Sequence, residues 1–319
     1  MIDNFKIERR KSPQTVLERL VKIAYLDKIQ TKKGIEYNNK DTKNFCGGLY
    51  VQITTDDKII ISGSLHKYKN YLCKNKLTNF DAFTMNEAQE TIKTLFTNLE
   101  LDIEGFCVLH FEIGISFFFG NDLKELINEV LSIGNEYLNP KAFYLSPIVK
   151  DDRMKLTRSH RDLKKVFKIY DKHNEMKDKR ISNSHEAFGV LRIETIYRRQ
   201  EKKELSQFIE LSNLEALQDQ FFKEWDQLNF YSDLQAPTGT HKIKIEIAKD
   251  LIYNGTIEVL EKFKKEFENG TITRRVYYNI KEFVENWHNV KQQFIRIQKK
   301  IVKKYVELYL LEKQYYMKI

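Results

Sequence analysis

The sequence predicts an α+β fold. A largely antiparallel sheet with flanking helices spans residues 1–203, and a helical domain over 204–319 ends in a long amphipathic helix. Three observations predict it. Runs in the first half, such as GGLYVQITTDD (47–57) and FCVLHFEIGISFFF (106–119), alternate or stay apolar with β-branched residues, as strands do. From about residue 204 the pattern becomes helical, in ELSQFIELSNLEALQDQFFKEWDQL and IAKDLIYNGTIEVLEKFKKEFENG. The glycine patterns of nucleotide-binding α/β folds, G-x-x-x-x-G-K and G-x-G-x-x-G, are absent.

Taken in order, KIIISGS (58–64) reads as a strand after 47–57. MNEAQETIKTLFTNLEL (85–101) places Ala88, Ile92, Leu95 and Phe96 at helical spacing, with Thr84 as its N-cap. After the strand at 106–119 comes a helix, NDLKELINEVLSIG (121–134). A polar, basic stretch then leads to a strand at VFKIYDK (166–172). A polar connection joins it to another strand, VLRIETIYRR (190–199). Pro237 and Gly239 mark a loop between helical blocks. Over 278–316, Phe283, Trp287, Val290, Phe294, Ile297, Ile301, Tyr305 and Leu308 recur at spacings of four and three, a coiled-coil-like seam. That seam packs along its own domain or forms a homodimer contact.

Lys plus Arg outnumber Asp plus Glu by 54 to 45. Residues 151–203 alone hold 16 basic against 9 acidic side chains, so most of the excess lies there. A basic balance suits a polyanionic partner. Cys46, Cys73 and Cys107 make neither a disulfide framework nor a zinc pair. The opening residues lack the apolar core of a signal peptide, and IGISFFFG (113–120) is too short to cross a bilayer. The expectation is a soluble cytoplasmic protein with no membrane partner.

Three carboxylates stand out, Glu112, Glu175 and Glu194, although an acidic residue in a strand ordinarily faces solvent. His110 and Glu112 share one strand face, and so do Arg192 and Glu194. Converging from neighbouring strands, His110 and the carboxylates would hold Mg²⁺ or Mn²⁺. Tyr170 and Lys172 also read as i, i+2 on one strand. A cation beside a phenol of pKa about 10 favours the phenolate, the form that attacks a phosphodiester.

The order of these segments resembles the replication initiators of filamentous phages, the gene II protein family, and more loosely the rolling-circle plasmid initiators with their relaxase-like core. MIDNFKI, KIIISGSLHKYKN (58–70), LHFEIGISF, TRSHRDLKKVFKIYDKHNE (157–175) and LRIETIYRR (191–199) are similar to that family's motifs. The likeness covers roughly residues 1–200. It implies a metal-dependent DNA nickase that starts rolling-circle replication through a covalent phosphotyrosine and works with host helicase and polymerase. Tyr170 would be the nucleophile and Lys172 its neighbouring lysine. Glu112 and Glu194 would be metal ligands, Glu175 a ligand or the group orienting Lys172, and His110 a further ligand. Where the family strand carries arginine and aspartate, this chain has His110 and Glu112.

The expected contacts to a single-stranded or hairpin origin are of two kinds. Arg153, Lys155, Arg158, Arg161, Lys164 and Lys165 would meet phosphates. The loop His66, Lys67, Tyr68, Lys69 would interleave a stacking ring with cations, and Arg192 would join them. Two other readings stay open: a non-catalytic DNA-binding replication or regulatory protein on the same scaffold, and a nuclease in which water attacks.

Overall fold

Period-two burial organises the first half of the chain, and where the period slips a β-bulge restores it. The computed structural model describes residues 1–42, 46–134, 141–142, 144–145, 157–161, 164–198, 203–230, 233–297 and 299–318. For residues 141, 142, 144, 145, 157–161, 233, 253 and 295–297 it describes the backbone alone. Contacts divide the chain into two units, Met1–Phe230 with Lys304–Ile319, and Tyr231–Lys303.

The first unit opens with β1 (Ile2–Arg9), α1 (Gln14–Ile23), β2 (Asp27–Thr31), β3 (Gly34–Asn38), β4 (Tyr50–Ile53) and β5 (Ile59–Ser64). Then come α2 (Leu65–Lys74), α3 (Met85–Asn98), β6 (Phe106–Phe118), α4 (Leu123–Glu129), β7 (Val130–Ile133), β8 (Lys141–Ala142) and β9 (Tyr144–Leu145). β10 (Thr157–Arg161), β11 (Lys165–Asp171), α5 (Lys172–Asp178), β12 (Val190–Tyr197), β13 (Lys203–Glu204), α6 (Leu205–Phe208), α7 (Leu211–Trp225) and β14 (Leu228–Phe230) follow. The second unit holds β15 (Asp233–Gln235), α8 (Lys242–Glu268), α9 (Arg274–Glu285), α10 (Trp287–Val290) and β16 (Ile295–Ile297). Helix α11 (Lys300–Lys318) returns the chain to the first unit from Lys304.

One eleven-stranded sheet dominates, ordered β2-β3-β4-β5-β1-β6-β12-β11-β10-β9, with β13 added beside β6. Its pairs are antiparallel, as expected. β6 is long enough to need correction: Ile7 pairs with Val108 and Lys6 with His110, so one residue bulges out. The slip keeps Val108 on the same face as Phe111, Ile113, Ile115 and Phe117. Leu191 and Ile193 of β12 and Phe167 and Ile169 of β11 extend this buried face. Helices cover it: Phe96 of α3 meets Phe106 edge-on at 5.0 Å, Phe208 of α6 lies 5.0 Å from Phe111, and Tyr305 of α11 lies 6.0 Å from Phe117. Burying each such side chain contributes roughly 1.5–3 kcal/mol.

Local signals behave as read at α3. Thr84 caps it in a full capping box with Glu87. Elsewhere tertiary pairing wins. The helix expected over 121–134 stops at Glu129, because Val130–Ile133, with a β-branched residue at each end, pairs with β14. The domain boundary expected at 203/204 lies at 230/231, because α6 and α7 pack on the sheet. Trp225 Nε1 donates to Thr195 Oγ1 at 3.0 Å. The single helix expected over 278–316 is broken into α9, α10, β16 and α11, with β16 pairing to β15. Among the described residues no helix is long and apolar enough to cross a membrane.

Candidate functional site

The second face of the sheet is polar. Cross-strand register lines up Tyr50 with Ser62, Ser62 with Lys6, and Lys6 with His110. These four side chains, with Asn4 and the exposed Lys40, line a cavity of about 410 Å³. Gly48 and Gly63 form part of its wall. Two residues along β6, Glu112 Oε1 lies 3.7 Å from His110 Nε2. An aromatic ring, two lysines and the hydrogen-bonding side chains of Asn4, Ser62 and His110 thus share one concave, solvent-facing patch.

Farther along the same face lies a buried ion network centred on Arg192, which is 1% exposed. Its Nε donates to Glu194 Oε1 at 2.6 Å and its Nη2 to Asp3 Oδ2 at 2.5 Å. Its Nη1 donates to Ser116 Oγ at 2.8 Å and to the Asn79 carbonyl at 3.0 Å. Asn79 Nδ2 and Ser64 Oγ also donate to Asp3. Two local features make room for this network. A second bulge, between Ile2↔Ile113 and Phe5↔Phe111, gives β1 an extra residue, and Asp3 sits in it. Gly114, opposite Glu194, leaves the space the side chains cross. A Cβ there would stand 2.8 Å from Glu194 Cγ and 3.1 Å from Arg192 Nη2. Burial alone would favour neutral acids. The Arg192 charge outweighs it and holds Asp3 and Glu194 below the usual carboxylate range.

Tyr170 belongs to this network, and its state differs from the expected one. Its hydroxyl donates to Glu194 Oε1 at 2.9 Å, and the residue is buried. Burial, then the Glu194 charge, push the phenol well above its ordinary pKa. Lys172 does not lower it by direct contact. Lys172 lies not on the strand but at the first position of α5, where Asp171 caps the helix by accepting from Asn174 N at 3.2 Å. Its Nζ lies 5.9 Å from the Tyr170 ring centroid and bonds Glu175 Oε2 at 2.8 Å. Glu175 also pairs with Lys179; burial opposes but these cations prevail, and its pKa falls to about 2.

The expected metal ligands do not converge. Glu194 is paired with Arg192 and lies 3.7 Å from Lys168, Glu175 is paired with two lysines, and only His110 and Glu112 stay together. Among the described residues no three His, Cys, Asp or Glu side chains gather as a ligand set. A Mg²⁺ or Mn²⁺ ion here would have to displace ammonium and guanidinium partners that already neutralise the carboxylates. The donor set does not fit it.

The expected DNA contacts also move. Residues 66–70 form the first turns of α2, not a loop, with Ser64 accepting from Lys67 N as N-cap. His66 is buried, bonded to Asp81 at 2.7 Å and stacked on Phe83 at 4.7 Å. Burial lowers its pKa although the Asp81 hydrogen bond opposes this. Tyr68 is 4% exposed and accepts from Asn98 Nδ2 at 2.9 Å, so its ring is closed to a base. Lys69 pairs with Glu87 at 2.9 Å. Lys67 is half-buried, its pKa lowered by burial and then by Lys172. Lys165 pairs with Glu224 and lies 5.2 Å from the Tyr197 ring, while Lys164 is exposed. Arg192 is interior, not a DNA contact. Arg153 and Lys155 lie outside the described residues. Of Arg158 and Arg161 only the backbone, in β10, is described.

Sequence reasoning missed Asp3, Ser116 and Asn79 as partners of Arg192, and missed Lys6 and Tyr50. Lys6 had a signal, a cation alternating with Phe5 and Ile7 in an apolar strand. No protein-family model matches the chain, and no curated protein matches it.

Proposed function

We propose that the first unit is a DNA-binding replication protein of the rolling-circle initiator kind, holding single-stranded DNA along the polar face of its sheet. The Tyr50–Ser62–Lys6–His110 row carries this reading. Lys6 and Lys40 suit consecutive phosphates, and Tyr50 offers a ring on which an unpaired base can stack. Asn4, Ser62 and His110 supply hydrogen bonds to sugar or base edges. Further support comes from position. The five segments that resemble the phage initiators fall on or beside β1, β5, β6, β11 and β12, and these are contiguous in the order β5-β1-β6-β12-β11.

Strand cleavage is a second reading, favoured by the 2.9 Å bond from Tyr170 to Glu194. A nucleophile within hydrogen-bond reach of a carboxylate is the pairing that general-base activation requires. In that reaction the Tyr170 oxygen would bond phosphorus and its proton would pass to Glu194, while the bond from phosphorus to the 3′-oxygen breaks and that oxygen takes a proton from water to leave as a hydroxyl. The attack requires the buried network to open toward the DNA.

The test combines binding and covalent capture. Labelled single-stranded DNA from the gene's own replicon is incubated with Mn²⁺ and wild-type, Tyr170→Phe or Lys6→Ala/Tyr50→Ala protein. Loss of binding in the double variant alone supports the sheet-face reading, and unchanged binding sinks it. A labelled protein band on a denaturing gel with wild type but not Tyr170→Phe establishes cleavage. Intact binding with no band rejects it.

A further inference from the structure

We infer that the second unit is a duplex-DNA-binding module that lays α9 in the major groove. The inference is independent of the single-strand reading of the first unit. Helix α8 is interrupted at Gly255, whose φ of 80° and ψ of 170° are not helical, so it forms two arms, 242–254 and 256–268. Ile247 and Leu251 from the first arm, Val259 from the second, and Ile280 and Val284 from α9 make one buried cluster. Partly buried Leu260, Phe263, Phe283 and Trp287 pack around it. A five-residue turn joins the second arm to α9. Gly270 takes a left-handed φ of 74° in it, and Thr273 caps α9 by accepting from Val276 N. Three helical arms on one core, the last two joined by a short glycine-bearing turn, follow the helix-turn-helix plan.

The solvent side of α9 is suited to nucleic acid. Its first two turns present Arg274, Arg275, Tyr278 and Asn279, all exposed, and no acidic residue precedes Glu282. Arg274 lies 5.6 Å over the Tyr278 ring, which stiffens both side chains. Among the described residues, neither arginine pairs with a carboxylate. The unit as a whole carries fourteen Lys/Arg against nine Asp/Glu over 231–303. Arginine and asparagine are the side chains that read guanine and adenine edges, and an α-helix fits the major groove of B-form DNA. Glu282 and Glu285 follow on the same side, so the N-terminal half enters the groove and the acidic half stays clear of the phosphates. A bilayer is disfavoured, because the apolar side of α9 is already spent on the core.

Fluorescence anisotropy on the full-length chain tests this with a labelled 30-base-pair duplex DNA, one of its strands alone, and an RNA duplex of the same sequence. Arg274→Ala/Arg275→Ala should weaken duplex-DNA binding at least about 10-fold and lower the salt slope by about 2, leaving single-strand binding unchanged. Arg274→Gln/Arg275→Gln, which keeps side-chain bulk, should do the same, and unchanged Trp287 fluorescence in either variant shows the unit is folded. Unaltered duplex affinity in both variants would overturn the inference. So would failure of the wild type to bind duplex DNA, or its preference for the RNA duplex. Loss of single-strand binding by Lys6→Ala/Tyr50→Ala, or its absence, bears on the first unit only.

Discussion

Arg192→Met is the perturbation that best separates an interior ion network from a nucleic-acid contact. Methionine nearly conserves the side chain's length but removes four hydrogen bonds, to Glu194, Asp3, Ser116 and the Asn79 carbonyl. Two carboxylates, each 4% exposed, lose their shared cation. Asp3 keeps Ser64 and Asn79, and Glu194 keeps Tyr170 and the more distant Lys168. Breaking a buried pair from one side costs about 3–5 kcal/mol. A second route gives the same scale. If one carboxyl of ordinary pKa about 3.9 folds neutral at pH 7, taking up that proton costs about 4 kcal/mol, and at pH 5 only about 1.5 kcal/mol.

The sign follows. In the variant the folded carboxyl has a raised pKa, so the folded state binds more protons and loses stability as pH rises. In the wild type both carboxyls are depressed, and stability falls as pH drops below about 4. The two stability curves therefore approach each other in acid. Urea unfolding read by Trp225 fluorescence reports on this network, because Trp225 is buried in the first unit and Trp287→Phe removes the chain's only other tryptophan. The expected loss is about 4 kcal/mol at pH 7 and less than half of that at pH 5. A loss below 1 kcal/mol, or one that does not shrink in acid, would mean that Arg192 does not neutralise Asp3 and Glu194 in the interior. Weaker DNA binding at unchanged stability would restore Arg192 as a surface contact.

Four further outcomes are expected. Gly114→Ala places a Cβ 2.8 Å from Glu194 Cγ and 3.0 Å from the Ile193 carbonyl, and should cost about 2 kcal/mol in the same urea assay. Glu175, depressed to about 2 in the folded chain, stabilises it at neutral pH by on the order of 3 kcal/mol. Because its folded pKa lies below the unfolded one, that contribution is present above about pH 4.5 and fades toward pH 2. The stability gap between wild type and Glu175→Gln should close over that window. Lys6→Ala should lower the salt slope of single-strand binding by about 1, and Tyr50→Ala should cost roughly 1–3 kcal/mol of affinity, both read by anisotropy titrations.

The α+β class, β6 and β12 as strands, and the Thr84 cap are all legible in the amino-acid order, because each rests on a local period or a signal within a few residues. That order also placed Arg192 and Glu194 on one face, since strand alternation is local. The Asp171 cap that starts α5 was legible too, in Asp-Lys-His-Asn, yet the apolar run before it carried the strand reading through Lys172. Which charges meet is set by the folded chain. Asp3 and Arg192 are 189 positions apart, and two bulges set the register that joins Asp3 to β6 and β12. Burial then reverses the chemistry read from composition: Arg192 neutralises carboxylates instead of phosphates, and the Tyr170 phenol becomes harder to ionise. Desolvation depends on everything packed around a group, and spacing along a chain does not encode it.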